Sequence, residues 1–353
     1  MDLAGQAKTL TVSGGSAWGL SWMPAANEIW FTKGPGAKRE LRAVTLAGAQ
    51  RIVLAQTGAL TLEDISSSGR VLLNSTSQHM RMRFAGLANK TERDLSWLDW
   101  SLVSSISADG IAVAFMEGGE AAGGKLMSYY RKTDGSLAVK LGNVAWLSLS
   151  PDGNSVLAID EAAGGAVILP IGPGETRRVP LPGFTINIVE WLPDARGFVF
   201  IGKEAGHGLR LYALALGDGK PRAISQEGVV STYPVVSPDG KFATAVHSLG
   251  QVMLCPVKGG DALIGQGIQA GERPYAWSAD GTVLYVMSRV TMPAQVYRVN
   301  WSTGRRELWK QVTPPDSAGV TGISGIRITP DGNSYAYSFR QTLSQLHLVE
   351  GLR

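Results

Sequence analysis

Two apolar runs rich in strand formers flank residues 150–156, SPDGNSV. Trp146, Leu147 and Leu149 precede the segment, and Val156, Leu157 and Ile159 follow it. The pattern predicts two strands joined by a tight turn. Pro at the second position pre-sets φ for a type I turn. Asp accepts hydrogen bonds from backbone N–H groups just ahead of it, and Gly takes the left-handed conformation that reverses the chain. The device recurs as SPDGKF at 237–242 and TPDGNS at 329–334. Weaker copies are SADG at 107–110 and 278–281, SSSG at 66–69, LPDA at 192–195 and MPAA at 23–26. The turn position falls at Ala26, Gly69, Gly110, Gly153, Ala195, Gly240, Gly281 and Gly332. Intervals run from 41 to 45 residues, with 51 before the last copy, where VTPPDSAGVTG is inserted at 312–322. Such self-similarity marks a repeat architecture. Ala26 and Ala195 stand where the turn wants Gly. A left-handed Ala costs roughly 1–2 kcal/mol, so these two turns are expected to take another shape.

Each repeat reads as an inner strand (Tyr233 to Val236, for example), the turn, a second strand (Phe242 to Val246), a third (Val252 to Pro256), a Gly turn and a fourth. Four antiparallel strands at this period predict a β-propeller blade. The expected fold is all-β: one domain over residues 1–353, forming an eight-bladed propeller of four-stranded blades. Seven blades are the alternative if one weak motif is irregular. A β-sandwich or a pair of smaller β-domains is the competing fold. The last repeat lacks a fourth strand, and residues 7–12 (AKTLTV) read as a fourth strand without a blade. Their pairing is expected to close the ring. MDLAGQAKTLTV resembles VTLAGAQRIVLA at 44–55, so Met1 reads as an internal start within a longer protein.

Hydrophobic residues make up 44% of the chain, enough for a sizeable core. Charged residues are only 18% and there are 44 glycines, which suits short strands joined by turns. GGEAAGG at 118–124 and AGGA at 163–166 read as flexible loops. The net charge of +4 comes without any cluster of five Lys/Arg, so no nucleic-acid partner is expected. The single cysteine, Cys255, rules out an internal disulfide and reads as a small buried apolar residue. No signal peptide or transmembrane stretch is legible. The chain is expected to be soluble and monomeric, with no membrane insertion of its own.

Candidate chemistry is sparse. His79, His207, His247 and His347 have no His or Cys partner at metal spacing. There is no G-x-S-x-G elbow. GQGIQAG at 265–271 lacks the context of a phosphate loop, and Glu117 and Glu120 read as a solvated loop rather than an acid/base pair. No catalytic, metal or cofactor residue is therefore predicted, which leaves binding. In a propeller, the loops entering the inner strands and those between the second and third strands share one face around the channel. The turns lie on the opposite face. Entry loops are expected at Trp97–Trp100, Thr185–Asn187, Val230–Tyr233 and Gly271–Tyr275. The others are expected at Glu117–Gly124, Glu204–His207 and Arg289–Ala294. Trp97, Asp99, Trp100, Tyr233, Arg273 and Tyr275 supply the aromatic and Arg character of interaction hot spots. The competing reading is that such aromatics wedge blades together. The expected partner is a protein, peptide or small molecule on the channel face.

The SPDG-type hairpin with aromatic partners is similar to the TolB-like "PD40" propeller repeat, a relative of WD40, over nearly the whole chain. Five segments go further: ERDLSWLDWS (92–101), YYRKTDGSLAVKLG (129–142), GERPYAWSADG (271–281), TGRRELWKQVTPPDSAGV (303–320) and SYAYSFRQTLSQLHLVEGLR (334–353). Together they resemble the C-terminal propeller region of bacterial transmembrane serine/threonine protein kinases. The chain has no Gly-rich loop with V-A-I-K, no H-R-D and no D-F-G. The resemblance thus implies a non-catalytic sensor or interaction portion, held on the periplasmic side as part of a membrane protein. A TolB-like periplasmic scaffold is the alternative. A propeller-type lyase or glycosidase would need acid, base or metal groups lining the channel, and the sequence offers none at recognisable spacing.

Overall fold

The turn motif forms the same hydrogen-bonded box wherever it is complete. The hydroxyls of Ser107, Ser150, Ser278 and Thr329 each donate at 2.5 Å to the Asp two residues on, and Ser237 does so at 2.7 Å. Each hydroxyl also accepts the N–H of the residue five positions on, at 2.9–3.0 Å. Each Asp in turn accepts the N–H two residues ahead. The box satisfies the polar groups of a tight reversal and fixes the register of the strands leaving it. The Ala substitutions resolve differently from each other. Ala195 takes the left-handed conformation itself, with φ 56°, and keeps the turn hydrogen bond to Leu192, contrary to the expected change of shape. At 23–28 the turn does change: Asn27 rather than Ala26 carries the positive φ, 52°. Asn tolerates that region better than Ala.

The computed structural model describes residues 9–10, 16–34, 39–56, 58–86, 89–217, 219–288 and 292–352. The chain divides into two compact units, residues 1–78 with 342–353, and residues 79–341. The smaller unit holds β1 (Ala17–Met23), β2 (Glu28–Lys33), β3 (Glu40–Thr45) and β4 (Gln50–Ala55), an antiparallel sheet in chain order. It also holds β5 (Ala59–Ile65) and the first half of β6 (Val71–Gly86). Its core includes Trp30, Leu41, Leu60, Leu62, Val71 and Leu73. Gly19, at φ 58°, lets β1 approach β5, because a Cβ there would run into the Leu62 carbonyl.

In the larger unit, β7 (Asn89–Asp94) pairs with β6. Sheets follow in chain order. The first is β8 (Ser101–Ile106), β9 (Ala112–Glu117), β10 (Met127–Lys132) and β11 (Val139–Gly142). The second is β12 (Ala145–Leu149), β13 (Ser155–Ile159), β14 (Gly165–Pro170) and β15 (Arg177–Pro180). The third is β16 (Phe184–Trp191), β17 (Gly197–Glu204), β18 (Arg210–Ala215) and β19 (Arg222–Ala223). The fourth has three strands, β20 (Phe242–Val246), β21 (Val252–Pro256) and β22 (Leu263–Ile264). The fifth is β23 (Glu272–Trp277), β24 (Val283–Ser288), β25 (Ala294–Asn300) and β26 (Arg306–Val312). The sixth joins β27 (Val320–Ile328) and β28 (Tyr335–Val349) to β6, with β7 on its outer side. β6 and β28 contribute residues to both units.

Apolar clusters bridge successive sheets of the larger unit. One joins Met116, Leu147, Leu157, Val189 and Phe200 across the first three. Val199 and Ala243 belong to the next cluster, Leu254 and Leu284 to another, and Met287 and Ile326 to another. A further cluster holds Met82 and Ala336 of the sixth sheet with Val103 and Phe115 of the first. The Ser338 hydroxyl seals that junction, accepting from Val103 N–H at 2.9 Å and donating to the Ser101 carbonyl at 3.0 Å. Among the described residues, six sheets follow one another in this unit, and the sheet of β1–β4 belongs to the smaller one. The turn motifs at 26 and 69 belong to the smaller unit, which has its own core. The place beside β28 is taken by β6. Most of 7–12 lies outside the described residues.

Candidate functional site

The inner strands of the larger unit share an irregularity. Register slips by a bulge between Val103 and Ser105, Ala145 and Ser148, Ile186 and Ile188, Pro274 and Ala276, and Ile323 and Gly325. A bulge re-aims the side chains next to it. In the fourth sheet the inner segment, expected as a strand over Tyr233 to Val236, makes only isolated bridges at Val229 and Val236. Pro234 has no N–H to give the ladder. The Thr244 hydroxyl instead accepts the Val235 N–H at 3.1 Å.

Counting back four residues from the start of each turn gives one tier: Val103, Trp146, Ile188, Tyr233, Pro274 and Gly325. All six line one cavity of about 240 Å³. It opens among the residues that enter the inner strands, including Trp100, Ser231, Arg273 and Ser324, and Arg340 borders it. Counting back two gives Ser105, Ser148, Glu190, Val235, Ala276 and Arg327. Five of these, all but Ser148, line a second cavity of about 330 Å³ that reaches the turn prolines Pro151, Pro193, Pro238 and Pro330. Tyr233 and Tyr275 border both cavities.

Between the cavities the channel is polar and tightly held. Arg327 is 8% exposed and places its guanidinium 3.6 Å from the centre of the Tyr233 ring. It donates to the carbonyls of Ser104 at 2.5 Å and Ile326 at 2.9 Å, while its buried Nη2 has no partner. Glu190 is half-buried by exposure, since the channel reaches it, yet protein encloses it. Burial pushes its carboxyl up to about 7, against the pull of the Arg327 charge and a hydrogen bond from Ser148. Burial likewise raises the Tyr233 phenol.

The outer cavity combines aromatic walls with guanidinium groups. Trp146 meets the edge of Tyr233 at 5.7 Å between ring centres. Its φ of 55° is unusual for a bulky residue, and it falls where the smaller unit has Gly19, four residues before its own turn. The left-handed conformation costs roughly 1–2 kcal/mol. Strain of this kind clusters where a side chain is held for a purpose. Arg340, exposed, lies 5.5 Å from the Trp100 ring centre. Arg273 is half-buried, and its Nη1 is buried without a hydrogen-bond partner. Leaving a charged group's donor unpaired costs more than the ~1–3 kcal/mol of a neutral one. Among the described residues neither arginine has an ion-pair partner, and no Asp, Glu or His borders this cavity.

Of the six residues predicted from sequence, Trp100, Tyr233, Arg273 and Tyr275 meet in the outer cavity. Trp97 and Asp99 do not. Trp97 packs with Tyr129 and lies 5.5 Å from the Arg131 guanidinium, a wedge within the first sheet's core. Asp99 accepts the Ala121 N–H at 3.3 Å. Sequence reasoning missed Trp146, Arg340, Glu190 and Arg327. The last two sit at a fixed offset from the turns, which the repeat alignment could have exposed. Glu117, read as part of a solvated loop, is fully buried. It accepts from the Ser101 hydroxyl, Leu98 N–H at 3.2 Å and Trp100 N–H at 3.1 Å, and so positions the Trp100 loop. Burial raises its carboxyl despite these donors. Thr185–Asn187 lies inside β16, and residues 289–291 lie outside the described residues. No group of three His, Cys, Asp or Glu suited to a metal occurs among the described residues.

No family model and no curated protein matches the chain. Solved structures do. The putative TolB from Agrobacterium tumefaciens aligns over 76% of this chain and 99% of its own length, with 16% identity and a TM-score of 0.56. TolB from Acinetobacter baumannii aligns over 87% and 78% at 13% identity, TM-score 0.48. An oligogalacturonate lyase in complex with manganese aligns over 78% and 76% at 16% identity, TM-score 0.49. The turn boxes, the successive antiparallel sheets and the first of these likenesses together give the chain a TolB-like β-propeller fold.

Proposed function

We propose that this chain is a non-catalytic binding propeller whose ligand enters the outer cavity of the channel. One observation carries the reading: Trp146 is held at a left-handed φ where Gly19 stands in the smaller unit, and its ring, with Trp100 and Tyr233, walls a cavity beside an unpaired arginine. Among the described residues, none that lines the cavity offers a carboxylate or imidazole to move a proton. The inner cavity has one carboxylate, Glu190, facing Arg327. A module that binds without reacting fits both. The TolB-like fold supports a scaffold or interaction role, and the five sequence segments similar to receptor-like serine/threonine kinases support a periplasmic sensor. No helix among the described residues is long and apolar enough to cross a membrane.

The test is selection of random dodecapeptides displayed on phage against the whole chain, with counter-selection on the Trp146→Gly variant. Glycine adopts the backbone of position 146 without strain, so the fold is kept while the wall is lost. Peptides enriched on the native chain and lost on the variant are expected. Equal enrichment on both would remove the outer cavity as the site.

A further inference from the structure

The chemical class of the ligand can be read from the same cavity, an inference that rests on the binding reading above. We propose that the outer cavity takes the C-terminal residue of an extended peptide, with its α-carboxylate on Arg273 and Arg340 and its side chain against Trp100, Trp146 and Tyr233. Four observations lead there. Among the described residues the cavity is lined by two arginines and no acid, which favours a negative charge. Both arginines lack an ion-pair partner among the described residues, and Arg273 keeps a buried Nη1 without an acceptor. A planar carboxylate accepts two parallel bonds from such a group.

The rest of the lining is mostly aromatic or aliphatic, which suits an apolar group joined directly to the anion. The size points the same way. About 240 Å³ falls below the usual range of roughly 300–1,000 Å³ for sites that enclose a whole small ligand. It holds one anchoring residue, with the remainder of the ligand outside. Deeper in the channel Arg327 and Glu190 line the inner cavity, so at the mouth Arg273 and Arg340 set the sign.

The probes are acetyl-Gly-Gly-Phe with a free C-terminus, its C-terminal amide, and phenylacetate. Each is titrated into the whole chain labelled with ¹⁵N-tryptophan, following the indole signals of Trp100 and Trp146, assigned with Phe variants. The free-acid peptide is expected to shift both signals and to bind at least tenfold more tightly than the amide. Arg273→Gln is expected to abolish that preference. Arg340→Gln, at an exposed position, is expected to reduce it without any question of folding. Phenylacetate is expected to bind more weakly than the peptide. Equal binding of acid and amide, with both indoles shifted, overturns the carboxylate assignment and leaves the binding site standing. Phenylacetate matching the peptide overturns the peptide source in favour of a small acid. No shift at either indole with any probe overturns the site itself.

Discussion

Replacing Ala195 by Gly is expected to stabilise the larger unit. Ala195 sits at φ 56° and keeps the turn hydrogen bond to Leu192 at 3.0 Å. An L-residue held there gives up roughly 1–2 kcal/mol. Glycine returns about 0.4–1 kcal/mol through its freer unfolded chain. Ala195 is half-buried, so losing one methyl removes little packing. The net gain is about 0.5–1 kcal/mol. The reverse change at Gly153 has the same size and opposite sign, because a Cβ there meets nothing within 4 Å and only the conformation is penalised. Gly110→Ala costs more, since its Cβ would lie 2.9 Å from the Ser334 hydroxyl. Urea unfolding followed by tryptophan fluorescence gives the midpoints, compared at constant m. A midpoint that falls for Ala195→Gly, or a neutral Gly153→Ala, would refute the shared left-handed turn.

Other consequences follow from buried carboxyls and from the turn box. Glu190 has a folded pKa near 7, raised by burial from 4.5, so the folded state holds its proton longer than the unfolded one. Its contribution is present at acid pH and lost as pH rises from about 4.5 to 7, by up to ~1.4 kcal/mol per pH unit. Glu190→Gln should remove that falling limb from a plot of urea midpoint against pH; an unchanged slope would place the carboxyl in a wetter setting. Asp152 is held below its ordinary range chiefly by the Ser150 hydroxyl, so its contribution is present at neutral pH and lost on acidification. Ser150→Ala should cost about 1 kcal/mol at neutral pH, with the gap to the native chain narrowing once the aspartate is protonated and only the bond from Ser155 N–H is lost. Glu117→Ala leaves the Leu98 and Trp100 N–H groups without their acceptor and should cost about 2–4 kcal/mol. Glu117→Gln should cost less, and a variant series in the opposite order would contradict the role assigned to that carboxyl.

The turns and the β-blade organisation were legible because Ser-Pro-Asp-Gly leaves a chemical mark at each hairpin. Which compact unit each copy joins was not, since MPAA at 23–26 and SSSG at 66–69 follow the same spacing as the copies in the larger unit. Periodicity counts hairpins, and only long-range packing decides which core each joins. The course of β6 was hidden too: this 16-residue strand leaves the hairpin at Gly69 and continues to the sheet of β27. Trp100, Tyr233, Arg273 and Tyr275 were found because aromatics and Arg stood out at expected loop positions. Trp97 has the same composition signal but points into the sheet core. Trp146 was passed over as an ordinary strand residue, because a bulge and a positive φ have no sequence mark when Gly is absent. Glu117 illustrates the converse. A carboxylate beside a Gly-rich segment looks solvated until the backbone donors of the neighbouring loop close over it.

The most direct test of the central claim is a crystal structure of the whole chain bound to the strongest peptide from the phage selection. The peptide's anchoring residue is expected in the outer cavity, between Trp100, Trp146 and Tyr233. A peptide bound elsewhere, with the channel mouth vacant, would contradict it.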